Sequence, residues 1–141
     1  MSRNPAYYDF TNIGGDCTNF VSQCIYAGAG VMNYTPDTGW YFRSLYDRAA
    51  AWTGVEYLYV FLTRNESYGP FATEVTAAEI LPGDVIQLGN SYGEYYHSLV
   101  VMSTSGQILV SAHTNDALNR PLDSYTYAVA RYLHIQGVRS D

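Results

Sequence analysis

The residues of this chain best suited to covalent chemistry are two cysteines and three histidines. Cys17 stands in the run G-G-D-C-T-N-F-V-S-Q-C. A thiol becomes an effective nucleophile only when ionised, and a helix N-terminus favours the thiolate through its partial positive charge and free N–H groups. Cys17, Phe20, Val21 and Cys24 fall at i, i+3, i+4 and i+7, one face of a helix. The spacing predicts a helix over about residues 17–27. Gly14-Gly15 allows a sharp entry, Asp16 is the N-cap, and Gly28 and Gly30 end it. Cys17 then sits where the field is strongest, beside N–H groups suited to an oxyanion hole. The Asp16 carboxylate opposes ionisation unless it turns away as the cap. The plainer reading of Cys17 is a small buried residue. Cys24, two turns deeper on the same stripe, reads as core.

His97 opens the apolar run H-S-L-V-V-M, and His113 closes I-L-V-S-A-H. Ser105, in the turn-forming T-S-G, lies midway between them. A hairpin about that turn sets the two imidazoles side by side at its open end. A nucleophile, a base and a group that orients the base make up a catalytic triad. This assigns Cys17 as nucleophile and His97 as base. His113 or Asn115, the latter in H-T-N-D, is the orienting group, and Asn115 also suits an oxyanion donor. As turn residues Asn115 and Asp116 need no such role. His134 has no partner of this kind and reads as structural.

The elements that must carry these residues follow from the same patterns. A loop covers 31–39, and a helical pattern follows over about 40–51. Thr53-Gly-Val-Glu56 spells a capping box for a helix reaching about Arg64. A short strand is expected over 71–75, one helical turn over 76–79, and a turn at L-P-G-D. Strands follow over 84–88, 95–102, 107–113 and about 128–136. Helices come first and antiparallel strands second, so the class is α+β, in one domain over 1–141. The two cysteines are separated by about 10 Å of helical rise. That exceeds the roughly 7 Å span of a disulfide. No Cys/His spacing suggests zinc, and no cofactor is expected.

Composition narrows the partners. At 48% hydrophobic and 14% charged, the chain is too apolar and too weakly charged for a disordered segment. Net charge is −6 with 7 Lys plus Arg, too few cations for a basic patch, so nucleic acid is not an expected partner. Attachment to anionic membranes or walls through a polybasic segment is disfavoured too. No window of 18 apolar residues is present. The opening S-R-N-P-A-Y-Y carries no basic-then-apolar leader and reads as the start of a mature or excised domain. Fifteen tyrosines suit a groove for a polar peptide or glycan, or plain filling of core and sheet edges.

G-G-D-C-T-N-F-V-S-Q-C, then L-P-G-D-V-I-Q-L, then Y-H-S-L-V-V and A-H-T-N-D, resemble the "Putative amidase domain" family within the papain-like superfamily, whose relatives include NlpC-like endopeptidases and CHAP amidases. The likeness runs from Asn4 to about Gln136. It implies a papain-like fold, with the nucleophile's helix packed on a C-terminal antiparallel sheet. Cys17 matches the nucleophile and His97 the base. His113 matches a third position that is often His in NlpC-like enzymes. In CHAP domains that place resembles E-x-N, with which His113-x-Asn115 aligns. The resemblance implies hydrolysis of amide or peptide bonds, with bacterial cell-wall peptides as substrate and an exported, extracellular or wall-associated setting. Acyl transfer by the same triad and a non-catalytic binding module are the alternatives.

Overall fold

The computed structural model describes residues 16–112 and 119–140. Helix α1 spans Asp16–Ala29, starting one residue before the expected 17 and ending two beyond 27. Its end is set at Gly30, whose φ of +70° suits glycine and whose N–H bonds Tyr26 O at 2.8 Å. Of the expected stripe, Phe20 and Val21 enter the core and Cys24 packs against it, while Cys17 stays partly exposed and Ile25, outside that stripe, is buried.

The helix expected over 40–51 does not form. The chain instead makes a small hairpin, β1 (Phe42–Ser44) and β2 (Asp47–Arg48), followed by a single turn α2 (Ala50–Thr53). Two backbone bonds between Asn33 and Trp40 hold the chain extended as it enters. The buried side chains there, Trp40 and Phe42, are two residues apart, the period of a strand.

Helix α3 spans Val55–Arg64 as expected, but the capping box spelled at 53–56 is not made. Thr53 closes α2, and Gly54 is the N-cap without a side-chain bond, its N–H directed back to Ala50 O. Glu56 turns to Arg131 instead. The box that does form is at Thr76–Glu79, over a 3-10 turn (Ala77–Glu79). There the Thr76 amide, then its hydroxyl, hold the Glu79 carboxyl below the usual carboxylate range.

Six strands among the described residues form one antiparallel sheet: β3 (Gly69–Val75), β4 (Val85–Gly89), β5 (Tyr95–Ser103), β6 (Leu109–Ser111), β7 (Arg120–Pro121) and β8 (Val129–Arg139), in the order β3-β8-β4-β5-β6-β7. The expected strands are present. The one expected over 107–113 is shorter within the described residues, and β7 was not anticipated. The class is therefore mixed α+β with an antiparallel sheet.

β8 enters between β3 and β4 and makes the two halves of the sheet one ladder. Asp84, buried in the L-P-G-D turn, accepts from the backbone N–H groups of Leu81 and Ile135 at 2.9 Å each and pairs with His134 Nδ1 at 2.9 Å. His134 thus ties the L-P-G-D turn to β8. One face of the sheet packs Val85, Val100 and Leu133 against α1, α2 and α3. The other packs Ile86, Leu88, Leu99, Val101 and Val110 under Ile80 and Leu122.

The loop before Trp40 is tight at Gly39, where a Cβ would collide with the backbone of Asn33 and Thr35. Backbone cannot give way as a side chain can. Gly39→Ala should therefore lower stability by at least about 2 kcal/mol, read as a lower midpoint in denaturant unfolding. An unchanged midpoint would show that the loop repacks freely.

Candidate functional site

Cys17 is the second residue of α1 and carries a partly exposed thiol outside any disulfide. Packing of α1 on β5 brings its sulfur to the strand backbone, where the Ser98 N–H donates to Cys17 Sγ at 3.4 Å. Ser98 immediately follows His97. The two residues proposed from 80 positions apart in sequence thus lie on adjoining segments, the start of α1 and the first half of β5.

His97 is partly exposed, its ring 5.6 Å from Tyr125 and 6.5 Å from Tyr96 between centroids. The strand is irregular there. Leu88 pairs with His97 but Gly89 pairs with Tyr95, so β5 carries an extra residue at Tyr96. From Ser98 onward side chains alternate, with Ser98 and Val100 toward α1 and Leu99 and Val101 toward the other core. The extra residue precedes His97, which still pairs with Leu88 in the register of Ser98–Val100 and has its ring against Tyr125, on the side of the second core. Bulges re-aim side chains at the ends of strands and beside active sites. His113 and Asn115 lie outside the described residues.

Sequence reasoning missed the polar groups beneath this contact. Thr18, Ser98 and Gln87 are wholly buried, and Arg131 is 8% exposed. Thr18 Oγ1 lies 2.9 Å from Ser98 Oγ and 4.0 Å from Cys17 Sγ. Gln87 Nε2 donates to Ser98 Oγ at 3.2 Å and to Val55 O at 2.9 Å. Arg131 Nε donates to Gln87 Oε1 at 2.8 Å, and Nη2 to Glu56 at 2.9 Å. The guanidinium is held between the rings of Tyr59 and Tyr95, at 3.6 and 3.9 Å. The hydrogen bond from Tyr59 to Glu74 raises the Tyr59 pKa and keeps that phenol protonated. The available signal was a Gln and an Arg inside the apolar strands V-I-Q-L and V-A-R-Y-L. Their pairing across β4 and β8 is a matter of register.

A second set of bonds fixes the roll of α1. Trp52 Nε1 donates to Asn19 Oδ1 at 2.9 Å, Ser22 Oγ to Trp52 O at 3.0 Å, and Trp40 Nε1 to Ser22 Oγ at 3.0 Å. The two indoles lie 4.7 Å apart. Turning α1 about its axis would break all three bonds, so the direction in which Cys17 points is set by the T-N-F-V-S segment behind it.

A separate cavity of about 820 Å3 opens between the 33–38 loop and the outer side of α3, lined among others by Asp37, Tyr57, Val60, Phe61 and Arg64. Neither Cys17 nor His97 lines it. Among the described residues, no group of three or more His, Cys, Asp and Glu is placed to hold a metal ion. No helix among them is long and apolar enough to cross a membrane.

Cys24 behaves as expected of a core thiol. Burial pushes its pKa up to about 11. The Cys17→Ser chain should therefore resist iodoacetamide near neutral pH, with labelling of Cys24 rising only well above pH 9. Rapid labelling of that variant at pH 7 would contradict the burial of Cys24.

The uncharacterized protein YhbB of Bacillus subtilis (strain 168) is 36% identical to the chain over 124 residues, covering 84% of this chain and 38% of that protein. The chain thus spans well under half the length of this relative. No solved structure matches it. Residues 1–135 match the model of the family described as "Putative amidase domain"; the chain belongs to that family, whose description points to hydrolase chemistry in the broad sense.

Proposed function

We propose that the chain is a cysteine-nucleophile hydrolase of amide or peptide bonds, with Cys17 as nucleophile and His97 as general base. The observation that carries this reading is the 3.4 Å contact between Cys17 Sγ and the N–H of Ser98, the residue after His97. A helix-start thiol is thereby held on the strand backbone at the residue that follows His97. The resemblance in sequence and this helix-on-sheet arrangement together support a papain-like reading of the fold, taken as one domain over 1–141.

The chemistry follows from these parts. His97 takes the Cys17 proton, and the thiolate attacks the carbonyl carbon. The developing oxyanion collects N–H groups at the start of α1. His97 returns its proton to the leaving amine as the C–N bond breaks, leaving a thioester on Cys17. Water, deprotonated by His97, then releases the acid and the free thiol. His113 or Asn115 holds the His97 tautomer. A bacterial cell-wall peptide is the proposed substrate and an exported, extracellular or wall-associated setting the proposed location. With an amine in place of water the same thioester gives acyl transfer.

A binding module of the same fold is the second reading, and the cavity beside α3 favours it, since that cavity offers a ligand site without the thiol. Two measurements separate the readings. In the wild-type chain Cys17 should alkylate far faster than Cys24 near neutral pH, and His97→Ala should slow it. Purified peptidoglycan and a peptide panel should yield products with wild type and none with Cys17→Ser. His97→Ala should lower turnover by about 10²- to 10⁴-fold. Equal sluggishness of both thiols, with ligand retained by Cys17→Ser, would favour the binding module.

A further inference from the structure

The hydrogen bonds beneath Cys17 have a direction that chemistry fixes at their Arg131 and Gln87 end. A guanidinium only donates. The Gln87 atom 2.8 Å from Arg131 Nε is therefore the carbonyl oxygen. A backbone carbonyl only accepts, so the Gln87 atom 2.9 Å from Val55 O is the amide nitrogen. Both ends agree, and the amide cannot be turned over. Its second N–H proton goes to Ser98 Oγ at 3.2 Å. That oxygen keeps a second lone pair, so either hydroxyl can donate between Ser98 Oγ and Thr18 Oγ1 at 2.9 Å. With Ser98 donating, the Thr18 proton is available to Cys17 Sγ, a long contact at 4.0 Å, beside the firmer Ser98 N–H bond at 3.4 Å. In that arrangement every donor points toward the sulfur.

We propose that Arg131, Gln87, Ser98 and Thr18 form a one-way hydrogen-bond relay that ends on Cys17 and favours its thiolate. They are positioning residues for the nucleophile. The proposal rests on the reading of Cys17 as nucleophile. Aligned hydrogen bonds polarise one another, so a charged donor at the far end strengthens the donors at the near end. Burial keeps the effect from being screened, since Thr18, Ser98 and Gln87 are all fully enclosed. Such a network is not needed for stability, because apolar residues of like volume serve a core at least as well as a buried charge. Its Glu56 partner is 61% exposed, so water screens the carboxylate while the guanidinium stays buried between two rings.

Other titratable groups bear on the thiol as well. His97, Tyr95 and Tyr96 lie on β5, and Asp16 precedes Cys17 in sequence. β3 contributes Glu74, which is bonded by Tyr59, and α2 carries no titratable group. Hydroxyl deletions on Thr18 and Ser98 leave all of these in place, so they isolate the relay.

The test is the pH profile of iodoacetamide labelling, with Cys24 as the internal slow thiol. Thr18→Val and Ser98→Ala each interrupt the relay and keep the Ser98 N–H. Gln87→Met interrupts it one step earlier at similar volume. Each should move the Cys17 midpoint upward and slow labelling below that midpoint by about tenfold, the order of one charge-assisted hydrogen bond. The Thr18→Val, Ser98→Ala double variant should be no slower than the slower single, because both break the same chain. Thr18→Ser, which keeps the hydroxyl, should retain the wild-type profile. Continued slowness of Cys24 certifies that each variant is folded. Wild-type midpoints in folded Thr18→Val, Ser98→Ala or Gln87→Met would overturn the relay and leave the hydrolase reading standing. A wild-type chain in which Cys17 labels no faster than Cys24 would sink the hydrolase reading and the relay with it.

Discussion

The contact between the first turn of α1 and the first half of β5 is the constraint on which the rest of the candidate site depends. An exposed thiol at a helix start has only the field of that helix to favour its ionised form. Here the helix is pressed onto a strand, and the sulfur receives an N–H from Ser98. The same contact puts the thiol one residue from His97. A shift of α1 by one turn along β5, about 5.4 Å, would part the sulfur from both.

That contact is held from two sides. On the helix side, Trp40 and Trp52 bond Ser22 and Asn19 and pack against each other at a tilt, so the roll of α1 is pinned by indole N–H groups as well as by apolar burial. On the sheet side, β8 lies between β3 and β4 and brings Arg131 under Gln87. The register is strongly determined because both faces of the sheet are covered, and a slip by one residue would exchange the two cores. The sheet thus delivers a polar residue to the one position on the α1 face where it reaches the thiol's own neighbours.

The two faces divide their labour. The α1 face carries the thiol, the relay beneath it and the larger aromatic core. The other face carries Tyr125 and the ring contact of His97. His97 stands next to the bulge at Tyr96 and pairs with Leu88 on that second face. A histidine at such a place is oriented by its ring neighbours.

Local order was legible from residues alone. The burial of Phe20 and Val21, the stop at Gly30, the helical turn at Thr76–Glu79, the strands from Val85 onward and the nature of Cys24 all depend on neighbours within a few residues. Two local signals misled for the same reason. The 40–51 segment has helical spacing, yet Trp40 is bonded to Asn33 and the chain leaves extended. Thr53 and Glu56 spell a cap, yet Thr53 closes one helix and Glu56 is drawn to Arg131, 75 residues away. The family resemblance likewise singled out Cys17 and His97. Only the tertiary structure decided that a serine amide meets the sulfur, that Gln87 and Arg131 stand in register below it, and that β5 bulges at Tyr96. Helix periods and caps are short-range energies written in consecutive residues, whereas register and cross-strand neighbours exist only once distant segments have paired.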